Sequence, residues 1–466
     1  MSVSQELAQF THGLEYHDLQ VDVVDKVKAI ILHGLFIGLS SVHEDDAQLA
    51  AKLATSLSDD QIGSAHILAT GMQAGRLNAA YANSILIHLR GQDDSFRMLT
   101  HPGCTIIPAA FAESEGRSIN GKEFLTAVAA AYEVHCRLSR DTVPSAQNQG
   151  FRSSALFGIF GPAIASAKIQ SLSSEQIANT LALAVSFASG NLQTSHEGTK
   201  EMTFQEGIAT QNGMMASRIA GLDVNGAVEC FEGPAGFLRI FTGIENGRLN
   251  GSFDNQTEFD LITITEKLGV EWRLHDVTMK IYSGAGFVQP VIDGCAALAI
   301  EHDIDPASIE NIHIEMNEWE TVYPSPRYPR PGWGGTDEWK NAHFAASAIV
   351  NRGYESTGRR LSYGDRSSFE ELPEVQRLTK LVTVEKSDRP QYGPKISISL
   401  NDGNKHTISM TGDEFKWNFT MEKDRIQAVY PALPFDKSTA EDIIAQVENL
   451  ESLDNIDTLI HLLLSR

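Results

Sequence analysis

The stretch Gly91-Gln92-Asp93-Asp94-Ser95-Phe96, followed by Thr100-His101-Pro102-Gly103, gathers two carboxylates, a hydroxyl and an imidazole within one short span. Such a group places a proton carrier beside residues able to orient it, which is the requirement of general acid–base catalysis. The plainer reading is a solvated acidic turn ahead of a helix opening at His101-Pro102, since proline suits a first helical turn. Tyr282 and Tyr323 could add hydroxyls, yet a tyrosine in a strand or ahead of Pro324 more often packs its ring and wets only its tip. Arg327 and Arg330, in YPSPRYPRPGWGG, suit a proline-rich surface loop better than an anion pocket. His196, beside Glu197, reads first as a hydrogen-bonded structural residue and only in reserve as a base. His12, His17 and His43 lack the spacing of metal ligands, and no HExxH, P-loop or GxGxxG pattern falls in a fitting context, so neither a metal nor a cofactor is expected.

These residues need a scaffold, and the chain is long enough to supply two or three domains: 466 residues with 42% hydrophobic and 21% charged. That balance excludes disordered, collagenous and disulfide-scaffold classes. Sixty acidic residues against 37 basic ones give a net charge of −23, which repels phosphate backbones and anionic membrane surfaces. Nucleic acid and membrane are therefore not expected partners. Cys104, Cys136, Cys230 and Cys295 stand far apart, as reduced, buried thiols would. The first residues lack a basic region followed by an apolar run, and the apolar run Ala29 to Leu39 is broken by His33, which predicts a cytoplasmic chain without a membrane span.

Helical periodicity runs through Val21 to Leu39, Leu77 to Leu89, Gly121 to Leu138, Ser154 to Ile169, Ser174 to Ser189 and Gly207 to Ile219. The segment Val21 to Leu39 reads as amphipathic, Ser173 to Gln176 as a capping box, and the first 250 or so residues as all-helical. After the polar stretch Gly243 to Phe259 the texture changes: 309–316, 381–388 and 395–402 alternate apolar and polar residues as half-buried strands do. Asn401 to Asn404 predicts a hairpin turn into His406 to Met410, while Gln289 to Glu301 and Ala342 to Val350 stay helical. Ala440 to Leu464 returns to helical spacing, predicting packing on the N-terminal helices. The predicted fold is mainly α: a large helical domain from residues 1–265 and 425–466, with a smaller α+β lid domain, 266–424, inserted.

Asp93-Asp94-Ser95 with His101-Pro102, then Gly150-Phe151-Arg152, Phe204-Gln205-Glu206-Gly207, Gln211-Asn212-Gly213, Gly233 to Phe241 and Lys280-Ile281-Tyr282 together resemble the MmgE/PrpD family. That family includes 2-methylcitrate dehydratase, cis-aconitate decarboxylase and iminodisuccinate epimerase. The resemblance spans nearly the whole chain and rests on the order of its motifs. It implies a helical domain built from both chain ends, an inserted α+β lid, a homodimer and a metal-free site between the domains. Residue by residue, it implies His101 as the proton-transfer group, Asp93, Asp94 and Ser95 as its supports, and Lys280 as a substrate-site lysine. Where many members carry Gly-aromatic-His, this chain carries Arg152, which cannot cycle its proton but can clamp a carboxylate. An ungapped alignment sets Met202 where members often carry a catalytic lysine; Lys200 fits with an offset. A histidine found in several members five residues beyond the Lys280 position is Ala285 here.

The function so implied is a metal-free lyase, a dehydratase or decarboxylase, acting on a small di- or tricarboxylate. Its catalytic set is His101, Asp93, Asp94, Ser95, Lys200 and Tyr282, and its substrate-binding set Arg152, Lys280 and Tyr323. An isomerase or epimerase on a similar polycarboxylate is the second reading, with Lys200, Tyr282 or a water as partner to His101. A catalytically inactive carboxylate-binding homodimer is the third.

Overall fold

The computed structural model describes residues 1–58, 64–197, 199–253, 256–282, 284–322, 337–353 and 373–464. Tyr323, Arg327 and Arg330 lie outside the described residues. Two compact units divide the chain: Met1–Leu192, Thr203–Val277 and Trp417–Arg466 form the first, Gln193–Met202 and Thr278–Lys416 the second.

The first unit is helical because its apolar residues recur at helical steps. Its central helix, Val21–Ser40, reaches solvent only over the opening turns; every residue from Lys26 to Ser40 is buried. The expected amphipathic helix is thus buried nearly all round beyond its opening turns, with Lys26, Lys28 and His33 among the enclosed side chains. Helices Arg76–His88, Gly103–Ser114 and Gly121–Ser139 pack on it, and so do Phe419–Arg425 and Lys437–Glu448 from the far end of the chain. Helix Ser174–Phe187 opens with the capping box at Ser173 and Gln176.

Two local expectations are corrected. The helix expected from Ser154 to Ile169 is two, Ser153–Phe157 and Phe160–Ile169. Pro162 has no N–H to return to the preceding turn, so it sits in the first turn of a new helix instead of the interior of a long one. The first 250 residues are also not wholly helical, since strands β1 (Ser64–His66) and β2 (Gln73–Gly75) pair antiparallel with Ala65 opposite Ala74. Three residues per strand are too few for a period-two signal to stand out.

In the second unit, β3 (Ile309–Asn317), β4 (Val382–Ser387), β5 (Lys395–Leu400) and β6 (Lys405–Ser409) form one sheet in the order β4-β3-β5-β6. β3 runs parallel to β4 and antiparallel to β5. Ile312 faces Ile398 and Ile314 faces Ile396, all four buried, so these cross-strand pairs form the apolar face. β5 and β6 make the hairpin expected around Asn401 to Asn404. Helices Val288–Glu301 and Asp337–Asn351 pack on each other, the first against β5 and β6 and the second against β4. No helix among the described residues is long and apolar enough to cross a membrane.

The C-terminal segment is fastened to the start of helix Gly121–Ser139. Gly121 N–H donates to the Leu453 carbonyl at 2.9 Å, Ile456 N–H donates to the Ile119 carbonyl at 2.8 Å, and a Cβ on Gly121 would stand 1.6 Å from the Leu450 carbonyl oxygen. Backbone meets backbone there, so no side-chain rotation can make room. Gly121→Ala should therefore lower unfolding stability by about 3 kcal/mol, at the upper end of overpacking costs, whereas Gly13→Ala, with nothing within 4 Å, should stay within about 0.5 kcal/mol. Denaturant midpoints of the two variants check this, and equal midpoints would show that the C-terminal contact yields freely.

Candidate active site

The loop after helix Arg76–His88 carries the acidic pair, and Asp94 organises it. Asp94 Oδ1 accepts the Gly103 N–H at 2.8 Å and Oδ2 accepts the Tyr132 hydroxyl at 2.7 Å, while the Asp94 backbone carbonyl lies 2.8 Å from His101 Nδ1. Ser95 Oγ is 3.1 Å from the same nitrogen. Glycine is required at 103, because a Cβ would stand 2.8 Å from Asp94 Oδ1 and 2.7 Å from the Tyr132 oxygen. Burial pushes the Asp94 carboxyl up to about 6, against the pull of its Tyr132 and Gly103 hydrogen bonds, and the neighbouring Asp93 adds to the rise. The same burial, with Asp94 alongside, holds the Tyr132 hydroxyl protonated well above its usual range.

A carbonyl can only accept, so His101 Nδ1 carries the hydrogen and the neutral ring keeps its lone pair on Nε2. This tautomer is the one a general base needs at Nε2. The ring is largely enclosed, with its side chain 16% exposed.

Beside it runs a buried polar chain that joins the expected Asp93 and Arg152 through His88, which the sequence did not mark, to Glu206, which it marked only as part of a motif. His88, the last residue of its helix, donates from Nδ1 to Asp93 Oδ2 at 2.8 Å. Its Nε2 accepts from Arg152 Nη2 at 3.0 Å, and Arg152 Nη1 forms an ion pair with Glu206 Oε1. Arg152 Nη1 also reaches Gln205 Oε1 at 3.4 Å. The His88 and His101 rings lie 5.3 Å apart, and Asp93 Oδ2 is 3.9 Å from His101 Nδ1, so Asp93 stands between the two imidazoles. Asp93 and Glu206 are fully buried and Arg152 nearly so. Ligand atoms of His88, Asp93 and Cys104 lie within 4.8 Å of one another, a spacing that a metal could bridge. Here His88 and Asp93 hydrogen-bond each other at 2.8 Å, and the Cys104 thiol donates to the His101 carbonyl at 3.1 Å.

Local structure explains these placements. Arg152 precedes helix Ser153–Phe157, its N–H donating to the Gly190 carbonyl at 3.1 Å, and Leu192 N–H returns to the Gly150 carbonyl at 2.8 Å. Glu206 falls on the inward stripe of helix Met202–Ala220, with Met202, Thr203, Ala209, Thr210 and Gly213 also buried. A charge on an otherwise inward stripe was the available signal for Glu206. For His88 the signal was its place five residues ahead of Asp93.

The remaining expected residues belong to the second unit. Lys200 is exposed, and Met202 Sδ lies 3.1 Å from the Ser195 hydroxyl. Lys280 is buried at 2% exposure. The Tyr282 hydroxyl donates to Asp293 Oδ1 at 2.7 Å, and its N–H donates to Gln289 Oε1. Ala285 contributes its carbonyl to the turn at Val288. All four cysteines are free and buried, as expected.

A model of the MmgE/PrpD N-terminal domain matches residues 5–249, the span holding Asp93, Asp94, Ser95, His101, Arg152, Lys200 and Glu206. Along its length the chain is similar to cis-aconitate decarboxylases. It is 23% identical to that of Aspergillus terreus over 99% of this chain and 96% of the relative, 24% identical to that of Mus musculus over 99% and 93%, and 28% identical to that of Homo sapiens over 99% and 94%. With more than half its length matched by the family model, the chain belongs to the MmgE/PrpD family and is a lyase-type enzyme of that family.

Proposed function

We propose that this enzyme removes carbon dioxide or water from a small di- or tricarboxylate, with His101 as the proton-transfer residue. The observation that carries the reading is the fixed tautomer of His101: Nδ1 is tied to the Asp94 carbonyl at 2.8 Å, which makes Nε2 the reacting nitrogen. In a decarboxylation, the carbon–carboxylate bond breaks, its electron pair passes to the substrate carbon, and protonated His101 delivers the proton that replaces the departing carbon dioxide. In a dehydration, neutral His101 removes the carbon-bound proton, the carbon–oxygen bond breaks as the carbon–carbon double bond forms, and the departing hydroxide takes that proton from His101 to leave as water. Both steps need a group that titrates near neutral pH, which histidine does and arginine does not. The curated relatives act as cis-aconitate decarboxylases by name, which favours carbon dioxide loss. Arg152 and Ala285, standing where many or several family members carry histidine, argue for a substrate other than theirs.

Incubation with a panel of citrate-like acids in deuterated water tests the reading. Loss of carbon dioxide or water supports a lyase; deuterium uptake without loss would transfer the chain to the isomerases. Once a substrate is in hand, His101→Asn should depress kcat by roughly 10²-fold or more, the scale of acid–base catalysis, and a variant within a few-fold of the parent would remove His101 from the mechanism.

Asp94 generates a second expectation. Its folded pKa of about 6 lies above the usual 3.8, so between these values the folded state binds more protons than the unfolded one. Stability therefore falls as pH rises through that window, by up to about 3 kcal/mol. Asp94→Asn keeps an acceptor for Gly103 N–H and an amide for the Tyr132 oxygen, and should flatten this slope. Urea midpoints of parent and variant from pH 4 to 7 check it; parallel curves would show that Asp94 stays ionised throughout.

A further inference from the structure

Arg152 is the residue that a carboxylate substrate would most readily seek, since a guanidinium grips a carboxylate through two parallel N–H donors. Both arms of that fork are already used, Nη1 by Glu206 with Gln205 at 3.4 Å, and Nη2 by His88 Nε2 at 3.0 Å. Glu206 is not a loosely placed competitor. It is fully buried on helix Met202–Ala220, its Oε2 has no hydrogen-bond partner among the described residues, and the Arg152 contact is what offsets its burial. Displacing it would strand a carboxylate in the interior, which a docking anion cannot easily offset. Asp93, at the other end of the chain through His88, adds negative charge to the same cluster, so the Arg152 surroundings carry no surplus positive charge to attract an anion.

We propose that Glu206 is a specificity-determining residue: by holding the Arg152 guanidinium it keeps substrate carboxylates off that arginine, so the enzyme selects acids that do not need a cation there. This rests on the carboxylate-lyase reading above and assigns Arg152 to Glu206 and His88 rather than to the substrate. His88, by accepting from Nη2, fixes the plane of the guanidinium toward Glu206 and acts as a positioning residue.

Calorimetric titration with tricarballylate, a stable tricarboxylate, tests the proposal on the parent, Glu206→Gln and the double variant Arg152→Gln/Glu206→Gln. Freeing Arg152 should tighten binding by about tenfold or more in Glu206→Gln, and the double variant should lose that gain. No gain in Glu206→Gln, or a gain that survives in the double variant, would overturn the proposal. Should the single variant fail to fold, the uncharged pair still decides: parent and double variant should bind within about threefold of each other if Glu206 already holds Arg152. A loss of tenfold or more in the double variant would put Arg152 on the ligand. The lyase reading fails separately, on absence of turnover by the parent across the acid panel, whatever these affinities show.

Discussion

The buried Asp94 carboxyl is the constraint on which the candidate site depends. One side chain caps the entry to helix Gly103–Ser114, holds Tyr132, and leaves its own backbone carbonyl turned to His101. The loop bearing it is held from both ends of the chain as well. His33 of the central helix reaches the Gln92 carbonyl at 2.8 Å through Nε2 and Glu422 at 2.9 Å through Nδ1. Burial works against a charged His33, but the Glu422 charge and these acceptors outweigh it and its pKa is raised, as two donated hydrogen bonds require. The geometry of His101 is thus set by a residue near the start of the sequence and another near its end.

Burying Asp93, His88, Arg152 and Glu206 in one connected line trades stability for order. Charges removed from water recover their hydration only through accurate partners, and the loss of any one strands the next. What the arrangement yields is preorganisation, since His88 has a defined tautomer, Arg152 a defined plane and Asp93 a fixed position beside His101. A solvated loop of the same composition would hold none of these.

The sequence revealed what is local and concealed what is not. Strands β3, β4 and β5 announced themselves through alternation, the capping box at Ser173 through spacing, and Asp93, Asp94, Ser95 and His101 through being neighbours in the chain. The contact of His88 with Arg152 closes a gap of 64 residues, and no periodicity reports such a pairing. Glu206 was visible inside Phe204 to Gly207 as a motif letter, but its task follows only from which guanidinium lies against it. The same reason hid the prior commitment of Arg152, which its residue type alone marks as an open clamp.

How one chain builds a helical unit from both ends is itself answered by a single ammonium. Lys26, buried in the central helix, donates through Nζ to the Val277 carbonyl at 2.6 Å and to the Trp417 carbonyl at 3.0 Å, the residues where the chain leaves the first unit and rejoins it. Just beyond them, within the second unit, Met279 N–H donates to the Phe415 carbonyl at 3.1 Å. An inserted segment whose own ends are paired can be accommodated by a host that needs only two adjacent attachment points. Lysine suits the position better than a neutral residue, because its three donors can serve two buried carbonyls at once and satisfy backbone groups that the interruption of the fold would otherwise leave unpaired in the interior.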